Sequence, residues 1–240
     1  MDKRELLKTS VEHIDMKAFD AVQIIKLFEG MSFQARNLAA AASIYDKMLS
    51  DPDCSIILCL AGSLFSAGLK KVVRDIVRCN MTDVIVSSGA IMIDQDFFEA
   101  LGFKHYRGTP IIDDGMLRKK MIDRIYDTFI DEEELRVCDM TVAEIADSLP
   151  PRPYSSQEFM REVGRYLNEK GKDNDSVVLE CYKKGVPIFV PAFSDCSAGF
   201  GLVYHQNKRG NAPKVTIDSA KDFLDPVSYT HLRAHETGRN

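Results

Sequence analysis

The stretch Cys54–Ala90 limits the fold more than any other. It reads CSIILCLAGSLFSAGLKKVVRDIVRCNMTDVIVSSGA. Ser55–Leu60 is a short apolar run between turn residues, the pattern of a buried parallel strand. Ala61–Gly68 is small and hydroxyl-rich. Leu69–Cys79 then places Leu69, Val72, Val73, Ile76 and Val77 on one helical face. A second apolar run, Val84–Val86, ends in Ser87-Ser88-Gly89-Ala90. This is a β-α-β unit, for which a right-handed crossover is the rule. Open α/β sheets bind ligands at the carboxyl ends of their strands. Those are the places where the small and hydroxyl residues sit.

The same signature returns near the other end of the chain. Val186–Val190 reads as a third strand and runs into Pro191–Gly201, PAFSDCSAGFG. Three strand ends therefore carry small or hydroxyl residues: Gly62-Ser63 with Ser66, Ser87-Ser88-Gly89, and Ser194-Asp195. In one parallel sheet they line one crevice. Hydroxyls and backbone N–H groups at a helix start suit a phosphate or a ribose. Ordinary strand-to-helix turns favour the same residues. Asp195 suits ribose hydroxyls or a cationic amine, and suits a helix N-cap as well. Neither G-x-G-x-x-G nor G-x-x-x-x-G-K-[ST] is present.

Between these runs the spacing predicts helices over Ala18–Phe28, Phe33–Ser50, Asp94–Leu101, Gly115–Phe129 and Asp131–Leu149. Ser155–Lys170 opens on a capping box, Ser155 with Glu158. Asp175–Lys184 is capped by Asp175 or Ser176 and stops at Gly185. Lys104–Asp114 reads as a loop whose His105-Tyr106 could face a ligand. His205 fits a surface or satisfied core position better than a site. The fold class is α/β, a Rossmann-like parallel sheet with helices on both faces, in one domain over residues 1–225. No nucleophilic triad can be assembled from these residues.

Net charge is -5, which argues against a nucleic-acid groove. No apolar run is long enough to span a membrane. The six cysteines include no C-x-x-C pair and several sit in apolar runs, so free buried thiols are expected rather than a metal site. Free thiols point to a reducing, cytoplasmic setting. Pro226–Asn240, PVSYTHLRAHETGRN, has no hydrophobic periodicity and looks like the in-frame translation of a sequencing adapter. It is set aside from fold reasoning as a non-native tail, and the natural chain is expected to run further.

At four places the chain resembles the deoxyhypusine synthase family, from about Ser32 to Leu224. Ser32–Arg36, SFQAR, resembles the family's GFQA-type helix entry. Gly62–Gly68, GSLFSAG, resembles its SNLISSG-type cofactor loop. Asp83–Ala90, DVIVSSGA, resembles DVLVTTAG or DVIVTTGA, and Val186–Gly199, VPIFVPAFSDCSAG, resembles IPVFSPALTDGSLG. Order and spacing make the set specific. The resemblance implies an NAD-dependent α/β enzyme, assembling as a homotetramer, that transfers the aminobutyl group of spermidine through an active-site lysine to a lysine of a translation factor. Relatives make homospermidine by the same chemistry. By position, Gly62, Ser63, Ser66, Ser88, Gly89, Ala90 and Asp195 would contact NAD, and Asp94 and Gln95 the polyamine. The nucleophilic lysine is expected in a C-terminal segment beyond this chain, and none of Lys208, Lys214 or Lys221 matches its motif. Two departures stand out. Ser63 replaces the loop asparagine, and Phe200 replaces the acid that closes TDGSLGD. A buried ammonium needs a carboxylate, so Phe200 leaves room for another amine. Hydrolysis at a nicotinamide–ribose bond, as in sirtuins of related fold, lacks its C-x-x-C zinc module here. A binding subunit without chemistry is the remaining alternative.

Overall fold

The structure, a computed structural model, describes residues 2–224. Pro226–Asn240 lies outside the described residues. The centre is a parallel sheet of β1 (Ile57–Cys59), β2 (Val84–Val86) and β7 (Ile188–Phe189), in the order β1-β2-β7. Leu58 pairs with Ile85, and Ile85 with Ile188. The middle strand contributes Val84 and Ile85 to the core. All three strands run the same way, so their carboxyl ends open on one edge.

Before the sheet come α1 (Lys3–Leu6), α2 (Val22–Phe28) and α3 (Phe33–Ser50), with a 3-10 turn at Met16–Ala18. α2 and α3 pack on each other and leave Leu27 and Phe33 exposed. α4 (Lys70–Arg78) connects β1 to β2. After β2, α5 (Gly89–Ile91), a π-helical stretch (Met92–Phe97) and α6 (Phe98–Ala100) run on as one helix over residues 89–100. Ile91, Met92, Ile93, Phe97, Phe98 and Ala100 are all fully buried. Apolar side chains on several faces keep this helix inside the domain, and the main core cluster surrounds it.

Next comes an antiparallel sheet of β3 (Tyr106–Arg107), β4 (Ile122–Ile125) and β5 (Thr128–Asp131), with α7 (Asp114–Lys119) inserted. This corrects the helix expected over Gly115–Phe129. Ile122, Ile125 and Phe129 fit a helical face, but β-branched and aromatic residues fit a pleated sheet equally well. Pairing with β3 and the left-handed Met121 (φ 55°) and Tyr126 (φ 55°) decide for the hairpin. Its inner face forms a small second core of Leu6, Leu117, Ile122 and Phe129.

α8 (Glu132–Ser148), β6 (Pro153–Tyr154), α9 (Ser156–Lys170), α10 (Val177–Lys184), α11 (Gly199–Arg209) and β8 (Thr216–Ile217) complete the described chain. α9 has its capping box of Ser155 and Glu158, and α10 ends at Gly185 in the left-handed region. α10 packs on α4 and α9, α9 on β7, and α11 on α8. His205 of α11 is buried and ties α8 to the approach to β8. The Val215 N–H donates to its Nε2 at 3.1 Å, so the proton is on Nδ1, which donates to Asp147 at 2.6 Å.

The start of α10 is tied to the central helix by Asp96, which is fully buried. Its carboxylate accepts from Ser176 Oγ at 2.6 Å, Val177 N at 2.8 Å and Val178 N at 2.9 Å. Asp96→Ala leaves those donors buried and unpaired, at about 1–3 kcal/mol for each lost partner. The expected loss of unfolding free energy is about 3 kcal/mol in denaturant titration, with Asp96→Asn falling between Ala and wild type.

Candidate functional site

The carboxyl ends of β1, β2 and β7 lie side by side, and the turns after them are drawn together by the central helix. Gln95 reaches the first turn: its Oε1 accepts from Phe65 N at 3.0 Å and Ser66 N at 2.9 Å. Within that turn Ser66 Oγ donates to Ser63 O at 3.0 Å. Gly62 is exposed, has φ +84°, and has open space where a Cβ would stand. Such a backbone can approach a ligand closely.

Ser88 caps the start of α5, its hydroxyl accepting from Ile91 N at 3.4 Å. Gly89 is where the second and third turns touch. A Cβ there would collide with Cys196 Sγ and lie 3.4 Å from Phe193 O. Ala90 follows, half-buried. Ser87, the last β2-side residue, is 6% exposed and its Oγ has no hydrogen-bond partner among the described residues.

The third turn is held by Asp94. Its carboxylate accepts from Ser197 N at 3.0 Å and Ala198 N at 3.2 Å. Asp94 thus caps the start of α11 from across the site. Asp195 does not: it is exposed, and no side-chain cap bond is made by α11's own N-cap residue, Ala198. All the residues expected to meet NAD lie on these three turns. Asp94 and Gln95 lie beneath them with oxygens committed to backbone amides.

Beside the third turn is a cleft of about 760 Å³. Its lining includes Arg118, Asp123, Arg136, Asp139, Ser197 and Phe200. Ser197 Oγ donates to the Asp139 carboxylate at 3.1 Å. Burial pushes Asp94 up to about 6, although the two amides pull it down. Burial pushes Asp139 up to about 7, and the neighbouring Asp94 charge adds to it. Among the described residues neither has a cationic partner. Cys196 is driven up to about 12 by burial and by Asp94, so it stays a thiol at neutral pH.

A second polar cluster lies on the other side of the central helix. Glu99 accepts from His13 Nε2 at 2.7 Å, His105 Nδ1 at 2.8 Å and Lys70 Nζ at 2.6 Å. Burial alone would raise Glu99, but these partners hold it well below the usual carboxylate range. Burial would lower Lys70, yet the Glu99 and Asp96 charges raise it. His105, read from sequence as a loop residue, is buried in this cluster. Asp96, Glu99, Lys70, His13 and Asp139 were not singled out in the sequence. The one available signal was the density of polar residues, Asp94, Gln95, Asp96 and Glu99, within an apolar helix.

The deoxyhypusine synthase family model matches residues 23–239. The chain belongs to the deoxyhypusine synthase family. A deoxyhypusine synthase-like protein of Chlorobaculum tepidum is 57% identical over 225 residues, covering 94% of this chain and 64% of that protein. One of Coxiella burnetii is 52% identical over 237 residues, covering 98% of this chain and 67% of that protein. The chain therefore spans about 64% of the length of the first of these relatives. A crystal structure from Entamoeba histolytica, provisionally named a deoxyhypusine synthase, matches with TM-score 0.63 at 18% identity. That match covers 91% of this chain and 74% of the other, and shows the shared α/β fold.

The raised Asp139 has a consequence for stability. A carboxyl whose folded pKa lies above its unfolded value near 3.9 destabilises the fold as pH rises from about 4 through about 7. Asp139→Asn keeps an acceptor for Ser197 and removes the charge. The variant is expected to gain about 1–2 kcal/mol over wild type at pH 8, after discounting for Asp139's partial exposure, and almost nothing at pH 4. Denaturant unfolding at the two pH values measures this; equal differences at both would place the raised carboxyl elsewhere.

Proposed function

We propose that this chain carries the nucleotide-binding part of an NAD-dependent transferase acting on an amine, with aminobutyl transfer from spermidine to a protein lysine as the leading reaction. NAD lies across the carboxyl ends of β1, β2 and β7, against Gly62, Ser63, Ser66, Ser88, Gly89, Ala90 and Asp195. The observation that carries this reading is the adjacency of the three strand ends in one parallel sheet. Two features fit such a group: the orphaned Ser87 Oγ at the middle strand end, and the open space at Gly62. NAD, when bound, supplies a hydride acceptor for oxidation of the amine.

The chain's own groups divide the remaining work. Gln95 fixes the Ser63–Gly68 turn, and Asp94 fixes the Asp195–Gly199 turn. Asp94 also lacks a cation among the described residues, which suits it to a substrate ammonium nearby. Phe200 is exposed at the rim of the adjoining cleft, where an apolar edge favours a different amine from one flanked by a second acid. The alternative reaction is that of a homospermidine-type polyamine synthase, in which a second amine takes the place of the protein lysine.

Covalent transfer needs a lysine with a free, deprotonated amine. Lys70 is paired with Glu99, Lys208 with Asp147 and Lys221 with Glu158. None is suited to attack, and no lysine of this chain is assigned as nucleophile. The complete enzyme, its acceptor protein and its homotetramer belong to the proposal.

Asp195 gives the direct test. Its side chain makes no hydrogen bond among the described residues, so Asp195→Ala should leave the melting temperature within about 2 °C. If its carboxylate bonds the cofactor, NAD affinity falls by roughly tenfold or more in calorimetric titration, as for a lost charge-assisted hydrogen bond. Unchanged affinity would remove Asp195 from the site. A titration of the wild-type chain with NAD and a panel of polyamines tests the wider reading, which fails if no nucleotide binds.

A further inference from the structure

The segment Ser10–Ala18 crosses the outside of the Gly62–Gly68 turn. It enters beside β3, where Arg107 N donates to Thr9 O at 2.7 Å and Val11 N to His105 O at 2.8 Å. Ile14 N then donates to Gly68 O at 3.0 Å. Gly68 has φ +95°, and a Cβ on it would stand 2.6 Å from Glu12 O. A side chain at this position would therefore push the segment off. Further on, Lys17 pairs with Asp75 at 3.0 Å.

Little apolar surface holds this segment down. Ile14 and Met16 are exposed, Val11 is half-buried, and the 3-10 turn at Met16–Ala18 has no buried residue. His13, its side chain 10% exposed, is bonded to Glu99. His13 keeps that bond although its other ring nitrogen, Nδ1, is buried without a partner among the described residues. Glu99 is itself fixed by His105 and Lys70. It lies one helical turn after Gln95, which holds the same Gly62–Gly68 turn from beneath.

We propose that Ser10–Ala18 is a strap that positions the Gly62–Gly68 turn, with the His13–Glu99 hydrogen bond as its latch and His13 as a positioning residue. The turn is clamped between Gln95 below and the strap above, and both clamps are anchored on one buried helix. A segment held by a few polar contacts belongs to the least stable part of a fold. Releasing it should loosen the turn without unfolding the domain. The link to cofactor affinity rests on the nucleotide reading; the hold on the turn does not, and is measured without any ligand.

The experiment is amide hydrogen exchange of the 240-residue chain, followed by NAD titration. The double variant His13→Ala/Ile14→Pro removes the latch and the N–H that bonds Gly68. Exchange at the Phe65 and Ser66 amides should rise by about tenfold or more, while the amides of Val163 and Leu167 in α9 keep their protection. His13→Gln, whose amide can replace Nε2 as donor to Glu99, should stay within about threefold of wild type. Val163→Ala, a core truncation in α9, should lower the melting temperature without a selective rise at Phe65 and Ser66. Unchanged exchange in the double variant overturns the strap, as does an equal rise in α9 or a matching selective rise in Val163→Ala. NAD affinity should fall at least tenfold in the double variant. Raised exchange with unchanged affinity overturns the positioning role. If wild type binds no NAD, the nucleotide reading fails while the exchange result still decides the strap.

Discussion

The structure depends on polar side chains reaching out of one buried helix. Residues 89–100 follow β2 into the middle of the molecule, and four of them carry oxygens that end on other segments. Asp94 holds the start of α11, Gln95 the turn after β1, Asp96 the start of α10, and Glu99 the strap, α4 and the residue before β3. Successive residues on a helix point in different directions. Gln95, Asp96 and Glu99 are buried, and Asp94 largely so, because the helix is enclosed by other segments. The π-helical widening falls on these residues, as such irregularities often do near sites.

Burying these groups would be costly if any were left short. A buried carboxylate must find donors or a cation. Asp96 has three donors, and Glu99 has a lysine and two imidazoles. A fully satisfied network rigidifies its surroundings. Among the described residues, buried polar atoms without a partner include Ser87 Oγ at the strand ends and, within the Glu99 cluster, the second ring nitrogens of His13 and His105. Burial raises Asp94 and Asp139, the Asp94 charge adds to it at Asp139, and their neutral hydrogen-bond donors offset it only in part.

The sequence shows the frame and hides the fastenings. The β-α-β unit of Cys54–Ala90 is legible because a buried strand, a small-residue turn and an amphipathic helix each leave a local mark. The α9 capping box and the Gly185 stop are legible for the same reason. The hairpin of Ile122–Asp131 is not, since its apolar spacing fits a helix as well and its pairing partner lies well before it in the chain. The roles of Asp94, Gln95, Asp96 and Glu99 are illegible for a deeper reason. Apart from His105, their partners are backbone amides and side chains 29 to 104 residues away, which no local pattern records. Family resemblance places Asp94 and Gln95 near the site without saying which groups their oxygens meet.

The charges along the crevice also give it a direction. A helix start ordinarily attracts anions. Just before α11, the amides of Ser197 and Ala198 are taken by Asp94, with Asp139 bonded to the same turn. A phosphate placed there would face two carboxylates, whereas a cation would lower the energy of both. At the other end, the turn from Gly62 to Ser66 offers hydroxyls, an open glycine and no carboxylate facing outward, since Gln95 supplies its support as a neutral amide. In the nucleotide reading, phosphates therefore belong beside β1 and β2, and the cationic end of the chemistry beside β7. In the same reading, a bound ammonium would make Asp94 and Asp139 more fully ionised, so its binding would release protons from them near neutrality and none at alkaline pH, where both are already ionised.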